Sequence, residues 1–224
     1  MFISDSLSGR LSGSRLPRKA LPLLLLPLLC ADGAWAAECS QNSYFLDTQA
    51  EVDALGAAGC DRVWGDLEIT SSADISNLDT LANIATVVGD LFIFNNGALT
   101  NLDGLANITS VGGTFGGSLR ISANDALTNL DGLASLTSVG RNLSTEDNDV
   151  LANCRGLAIV LGWPNGPPDD AVGGDIDIRN NGAGCNSIDE ILASVSEPTT
   201  PSIISTGSGD GEIILEISIS DNGG

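Results

Sequence analysis

A segment of twenty residues occurs twice in this chain with few changes, at 89–108 and again at 117–136. Looser copies begin at Gly65, Gly140 and Gly174. A sequence with a repeat of this length folds as stacked copies of one unit, because a single unit is too small to bury its own apolar face. The repeat therefore predicts a solenoid.

Each copy contains a short alternation of apolar and polar residues, which indicates a strand with one face inward. When the copies are aligned on the first inward residue, the successive steps are 24, 28, 24 and 33 residues. The longer steps contain insertions, at 112–117 and at 163–170, which can bulge outward without disturbing the stack. The aligned residues are Leu67, Leu91, Leu119, Leu143 and Ile176.

Two further regularities complete the predicted coil. Apolar residues recur at every third position in 99–111, which suits a chain that turns repeatedly around a common core. Five residues after each aligned strand residue comes a polar one, Ser72 in the first coil and asparagine in the others. An inward asparagine at a corner can bond the backbone of neighbouring coils and satisfy amides that the turn leaves unpaired. These asparagines are Asn96, Asn124, Asn148 and Asn181.

A helix is expected at each end of the stack, where its polar outer face would cap the solenoid. At 47–55, Thr48 and Glu51 have the spacing of a capping box. After the last coil, Ser187 and Glu190 have the same spacing. Apolar residues between 188 and 195 then indicate an amphipathic helix that ends before Pro198.

Residues 1–36 have the composition of a secretory signal peptide. Basic residues precede an apolar stretch at 21–29, and 34–36 is a small-x-small cleavage site. The stretch is too short to span a bilayer as a helix. We predict secretion with cleavage after Ala36. A lipoprotein acylated at Cys30 is the alternative, although the small residue usual before such a cysteine is missing.

The exported chain would be strongly acidic. The formal charge is −20, and residues 1–36 contain four basic and two acidic residues, so the remainder carries −22 with no lysine and no histidine. Nucleic acid and anionic lipid repel such a chain, so we expect neither as a partner, and we expect no membrane span. We interpret the charge as an adaptation for solubility, with a cation-binding surface as the alternative.

Four cysteines remain after cleavage, and an even number in an exported chain indicates disulfides. No histidine is available to complete a metal site with them. Cys39 and Cys60 flank the first helix, whereas Cys154 and Cys185 flank the last coil. We predict the pairs Cys39–Cys60 and Cys154–Cys185, each adding about 3–4 kcal/mol in the chain-entropy model.

The composition argues against an enzyme, because serine and cysteine nucleophiles usually need a histidine or lysine partner. A β-helix polysaccharide lyase or hydrolase is the enzymatic alternative. It would use carboxylate pairs together with arginines such as Arg120 and Arg179, which share a strand phase. Calcium is the one cofactor left open, because aspartate and asparagine are abundant at the turns. The carboxylate pairs are Asp147/Asp149, Asp169/Asp170 and Asp175/Asp177.

The N-terminal part of the predicted solenoid consists of Cys39, the helical segment 48–55, Cys60 and the segment 63–69. This part resembles the opening of a receptor L domain. The repeated Thr-Ser-Val-Gly motif, followed by a second glycine in its first copy, and the repeated Leu-Thr-Asn-Leu-Asp-Gly-Leu motif resemble the microbial branch of that family. The resemblance extends over about 39–196. The resemblance implies a short right-handed parallel β-helix, related to leucine-rich repeats, in a secreted or cell-surface protein. It implies ligand binding but assigns no contact residue here.

We therefore expect a non-catalytic binding or adhesion module that recognises an unidentified protein or glycan through the solenoid face. One outward residue of each strand would stack into a row, in which Phe92 and Arg120 are the candidate binding residues. A structural stalk or spacer is the alternative. The expected row is Glu68, Phe92, Arg120, Ser144 and Asp177.

The tail differs from the repeat. Residues 197–202 form a linker rich in proline and threonine. Residues 203–224 resemble the first two strands of a fibronectin type III domain, which needs about 60 more residues. Two strands alone cannot bury an apolar face, so we interpret this segment as a truncated domain without a partner sheet. The predicted organisation is thus 1–36 signal peptide, 37–196 solenoid, 197–202 linker and 203–224 domain start.

Overall fold

The structure is a computed structural model, and it describes residues 37–39, 43–113, 116–164, 171–195, 202–207 and 213–218, with the backbone alone at 37–39, 202–207 and 213–218. The predicted signal peptide at 1–36 lies outside the described residues, as does 197–201 of the predicted linker. The strands are β1 (Ala37–Cys39), β2 (Ser43–Leu46), β3 (Cys60–Val63), β4 (Asp66–Thr70), β5 (Thr86–Val87), β6 (Leu91–Phe94), β7 (Ser110–Val111), β8 (Leu119–Ser122), β9 (Ser138–Val139), β10 (Leu143–Glu146), β11 (Ile176–Arg179), β12 (Ser202–Gly207) and β13 (Ile213–Ser218). The helices are α1 (Gln49–Ala57) and α2 (Ile188–Ser194), with 3₁₀ turns η1 (Asp79–Leu81), η2 (Asp103–Leu105), η3 (Asp131–Leu133) and η4 (Arg155–Leu157).

The chain is mainly β and forms a repeat solenoid with two parallel sheets. The larger sheet has six strands in the order β11–β10–β8–β6–β4–β2, and the smaller has five in the order β1–β3–β5–β7–β9. In the larger sheet, the register pairs the same five residues that align the copies in the sequence. The sixth strand, β2, was not predicted, and its Tyr44 lies opposite Leu67.

The 3₁₀ turns form a third wall of the solenoid. A 3₁₀ helix has three residues per turn, which explains the recurrence of apolar residues at every third position. Leu102, Leu105 and Ile108 are fully buried, as are their counterparts one coil later. The buried leucines, isoleucines and valines of all three walls form one continuous core.

The 3₁₀ turns approach one another so closely that only glycine fits between them. A Cβ added to Gly104, Gly132 or Gly156 would lie 1.8, 1.9 or 1.7 Å from a carbonyl oxygen of the preceding coil. Real Cβ atoms do not approach an oxygen this closely, so the backbone would have to move. The glycine of the repeated Leu-Asp-Gly-Leu motif is therefore required by packing between coils.

A ladder of asparagine side chains follows the strands of the larger sheet. The Asn96 N–H donates to Oδ1 of Asn124 at 3.1 Å, and the Asn124 N–H donates to Oδ1 of Asn148 at 3.0 Å. The Asn124 Nδ2 donates in the opposite direction, to the carbonyl oxygen of Ile93 at 3.0 Å. These asparagines are fully buried. The residue before each ladder position has a φ of 53–57°, a left-handed corner that turns the next side chain inward.

The ladder ends at the last coil. The Asn148 N–H donates to Oδ1 of Asn181, and the Asn181 N–H donates to Oδ1 of Asn186 at 2.8 Å. The side chain of Asn186 thus takes the place that a further coil would fill, so the final corner amide is still paired.

A second ladder, which sequence analysis did not find, lies at the beginning of the same strands. The side-chain oxygen of each member except the last, Asp175, accepts the backbone N–H of the equivalent residue in the next coil. For example, Oδ1 of Asp90 accepts from the Ser118 N–H at 2.7 Å. The two ladders together hold both ends of β4, β6, β8 and β10 to the neighbouring coil. Its members are Ser43, Asp66, Asp90, Ser118, Asn142 and Asp175.

The helix α1 begins two residues later than predicted, after Thr48. The capping box is complete, because the Thr48 side chain accepts from the Glu51 N–H and the Glu51 carboxylate accepts from the Thr48 N–H. The same carboxylate repels Asp47 and raises the pKa of the Asp47 carboxyl. Burial opposes ionisation of Glu51, but hydrogen bonds from the Asp47 and Thr48 N–H groups lower its pKa overall.

The second capping box was predicted wrongly in part. The Ser187 side chain accepts from the Glu190 N–H at 3.2 Å, as expected. The Glu190 carboxylate, however, accepts from the N–H of Asn186, one residue before the N-cap. The side chain reaches past the cap because Asn186 belongs to the tight turn that ends the asparagine ladder. The helix α1 contacts η1, each 3₁₀ turn contacts the next, and α2 contacts η4, so the two helices lie at opposite ends of this row of turns. That the helices cap the solenoid stays a prediction.

The predicted disulfide Cys154–Cys185 is confirmed, with both cysteines buried. Cys154 precedes η4 just as Leu102 precedes η2, so the disulfide replaces a core leucine. Cys60 is also disulfide-bonded. Its pairing with Cys39, whose side chain is not described, stays a prediction.

The strands β12 and β13 pair antiparallel with each other in a two-stranded sheet. The likeness of this segment to a fibronectin type III domain stays a prediction. Among the described residues, no helix combines the length and apolar character that crossing a membrane requires.

Substitution of Gly132 by alanine should lower the free energy of unfolding by about 2–3 kcal/mol, because the new methyl group overlaps a carbonyl of the preceding coil. Urea denaturation measures this change. Gly97→Ala is the matched control, since no atom lies within 4 Å of its Cβ position. It should be neutral or stabilising by at most about 1 kcal/mol. Equal effects of the two substitutions would contradict the packing argument.

Asn124→Ala should lower the free energy of unfolding by about 3 kcal/mol, because it leaves the Asn96 N–H and the Ile93 carbonyl buried without this partner. Asn107→Ala is the control, since Asn107 is exposed and its Nδ2 makes one hydrogen bond, to Ala82 O at 2.7 Å. The control should lose less than about 1 kcal/mol. If both variants lowered the free energy of unfolding by similarly small amounts, the asparagine ladder would not stabilise the fold and the prediction would be wrong.

Candidate binding face

The outer side of the six-stranded sheet presents two rows of side chains, which we call the sheet face. Because successive residues of a strand point to opposite sides, residues two apart lie on the same side. The register places the expected row in line across the strands, with Phe45 added by β2. The first row is Phe45, Glu68, Phe92, Arg120, Ser144 and Asp177. The second row is Thr70, Phe94, Ser122, Glu146 and Arg179.

Three phenylalanines form an aromatic patch on the β2–β6 half of the sheet face. Phe45 is 58% exposed, Phe94 is 41% exposed and Phe92 is half-buried. Phe45 and Phe92 lie two strands apart, or about 10 Å from backbone to backbone. Phe92 was a candidate from the sequence. Phe45 was missed because β2 precedes the first recognisable copy, although the alternation at 43–46 was a usable signal.

An ion cluster occupies the β8–β11 half of the same face. An Arg120 Nη2–H donates to Oε1 of Glu146 at 2.7 Å, and the Arg120 Nε–H donates to Oγ of Ser122 at 3.2 Å. Arg179 forms ion pairs with the other Glu146 oxygen and with Asp177. The Glu146 side chain is only 10% exposed, although it faces outward, because the two arginines cover it. The sequence did not indicate this cluster.

The ion pairs of the cluster bear on whether Arg120 and Arg179 could hold an anionic substrate. Arg120 and Arg179 lie on the same face, as their shared phase implied, but in different rows. Both are paired with carboxylates and are therefore not poised to hold an anionic glycan. Elsewhere, the Arg62 guanidinium lies 5.0 Å from the centroid of the Trp64 ring. The arrangement gives no support to a lyase or hydrolase site on this face.

Carboxylates of the described residues are not grouped for metal binding. No set of three or more His, Cys, Asp or Glu side chains within 43–113, 116–164 and 171–195 is placed to hold an ion. Asp147 and Asp149 are exposed at a corner, and Asp177 is engaged by Arg179. The pair Asp169/Asp170 lies outside the described residues.

Glu146→Gln should lower the free energy of unfolding by about 1–2 kcal/mol, because it removes the charge that neutralises two neighbouring arginines. Asp177→Asn is the control, since its carboxylate is 44% exposed and pairs with Arg179 alone. The control should cost less than about 1 kcal/mol. Urea denaturation of both variants measures the difference, and a larger loss for Asp177→Asn would contradict the central position of Glu146.

Residues 59–155 match the family model described as Receptor L domain. This segment contains β3 to β9, β10 and the first three 3₁₀ turns, and it is shorter than the range over which the sequence motifs resemble the family. No curated protein matches the chain.

Proposed function

We propose that this protein is a secreted or cell-surface binding module whose sheet face recognises a protein or glycan partner without catalysis. One observation carries the proposal. All three phenylalanines within the described residues lie on the sheet face, and two of them are strongly exposed. The core is built from leucine, isoleucine and valine instead. Phenylalanine is the chain's largest purely apolar side chain, and exposing it in clusters is typical of an interaction surface.

The rigidity of the face supports binding. The strand β6, which carries Phe92 and Phe94, is held by side-chain ladders at both ends. The strand β2, which carries Phe45, is held by a ladder bond at its beginning and by parallel pairing with β4. Side chains on such a frame lose little further backbone entropy when a partner binds, so more of the contact energy becomes affinity. A surface on a flexible loop would lack this advantage.

The family match supports the same class of function. Receptor L domains are extracellular, non-enzymatic, ligand-binding domains, and the match covers 59–155, which includes two of the three phenylalanines. The buried disulfide fits an extracellular location, because such bonds persist in oxidising compartments. The signal peptide at 1–36 and the microbial branch of the family are parts of this proposal.

A stalk or spacer remains the alternative function for a stacked repeat. A spacer needs a stiff axis, which the ladders supply, but it gains nothing from exposed phenylalanines on one side. The aromatic patch therefore favours binding over a purely structural role.

The double variant Phe45→Ser/Phe94→Ser should weaken partner binding by at least about tenfold, since exposed aromatic anchors dominate interfaces. Binders are obtained by probing the full chain with a displayed random-peptide library and with a glycan array. The variant should keep its stability within about 0.5 kcal/mol, because both side chains are at the surface.

Ile159→Ser is the matched control, because Ile159 is as exposed as Phe94, at 41%, but lies beyond η4 and not on the sheet face. It should leave binding unchanged. Finding no binder in either library, or equal losses for the control and the double variant, would overturn the proposed function.

A further inference from the structure

Charge is distributed unevenly along the solenoid, and the aromatic patch lies in its acidic part. Residues 43–113, which include β2, β4 and β6, contain ten acidic residues and one basic residue, Arg62. That arginine belongs to β3 of the smaller sheet and lies over Trp64. No described arginine therefore lies on the patch half of the sheet face.

The other half of the sheet face carries arginines that are already neutralised. Glu146 binds both Arg120 and Arg179, and Asp177 binds Arg179 again. This half offers a partner no net positive charge. An approaching anion is therefore attracted by neither half of the face, whereas a cation is attracted most strongly to the patch half.

The dimensions of the sheet face limit the size of the partner. Six strands at a spacing of about 4.8 Å span about 24 Å, and strands of four residues are about 13 Å long. The resulting area of about 300 Å² is well below the 800 Å² or so that a globular partner buries per side. An extended segment of about seven residues, at about 3.3 Å per residue, would cross all six strands.

We infer that the partner of the sheet face is a basic protein segment, about seven residues long when extended, whose lysine or arginine side chains contact the aromatic patch. The inference rests on the proposed function and assigns its ligand class. Arginine and lysine are attracted both to the acidic surroundings and to the faces of exposed aromatic rings. Their long apolar stems also pack on phenylalanine while the charged group stays hydrated.

Two threonines provide a matched test of the charge argument. Thr70 lies on the sheet face opposite Phe94, whereas Thr86 lies in the outward phase of the smaller sheet; both are half-buried. Thr70→Lys and Thr86→Lys therefore add the same charge to the whole protein at different places. Thr70→Gln adds bulk at the same place without charge.

The experiment selects a displayed library of random twelve-residue peptides against the full chain and measures the affinity of the recovered peptides. We expect peptides rich in lysine and arginine whose affinity falls as ionic strength rises. Thr70→Lys should weaken their binding by at least about fivefold, while Thr70→Gln and Thr86→Lys should change it less than about twofold.

The inference is overturned if the recovered peptides are neutral or acidic, if the two lysine variants weaken binding equally, or if no peptide is recovered. The first outcome leaves the proposed function standing when binding still depends on Phe45 and Phe94. A glycan with that same dependence, in the absence of any peptide, would likewise keep the proposed function while excluding a basic segment. If Phe45→Ser/Phe94→Ser left peptide binding unchanged, both the proposed function and this inference would be wrong.

Discussion

The pairing of corner amides between coils is the constraint on which the rest of this solenoid depends. Each coil must turn sharply after its strand, and the turn leaves a backbone N–H inside the protein without a partner in its own coil. The asparagine of the next coil accepts that N–H, and its amide returns a hydrogen bond to a carbonyl of the preceding coil. An unpaired buried amide costs about 1–3 kcal/mol, so loss of one asparagine would lower the free energy of unfolding by a similar amount. When the residue before the ladder position is Ala123, its left-handed conformation costs about 1–2 kcal/mol. The hydrogen bonds of the Asn124 side chain, which this corner turns inward, offset that cost.

The repeat made much of this frame predictable. The strand alignment, the asparagine positions and the disulfide at Cys154 follow from spacing alone, because the first four coils place equivalent residues at equivalent depth. The last coil departs from this rule, since Ile176 is 38% exposed where its counterparts are buried. Prediction failed where a residue's role is set by a neighbour far away in sequence. Glu146 is nearly buried only because Arg120 and Arg179 cover it, and no periodic pattern in the sequence predicts that contact. Phe45 was missed for a related reason, since β2 is separated from the repeat by α1 and has no copy to align with.

The same frame decides where recognition can occur. The core is built mainly from aliphatic side chains, because each coil packs directly on the next at the glycine contacts. One aromatic side chain, Tyr44 of the terminal strand β2, packs against this core, and none of the described phenylalanines does. On the outside, however, solubility selects polar residues, as the overall charge of −20 shows. Phenylalanine at three outward positions of β2 and β6 is therefore explained by neither packing nor solubility, and a partner that covers it supplies the missing reason.

The ion cluster gives the opposite half of the sheet face a complementary role. The guanidinium groups of Arg120 on β8 and Arg179 on β11 form ion pairs with Glu146 and Asp177. They therefore do not neutralise acidic residues near the aromatic patch. No described arginine of the sheet face lies on β2, β4 or β6, where Glu68 is the acidic residue of the face. Releasing the arginines from Glu146 would weaken the attraction of this face for a cation as well as the fold, so the carboxylate of Glu146 links stability to recognition. Binding of a basic segment should then fall in Glu146→Gln even though Glu146 lies outside the patch. Arg120 would lose its carboxylate partner and Arg179 would keep Asp177 alone, which leaves a net positive charge on the same face as the incoming cation.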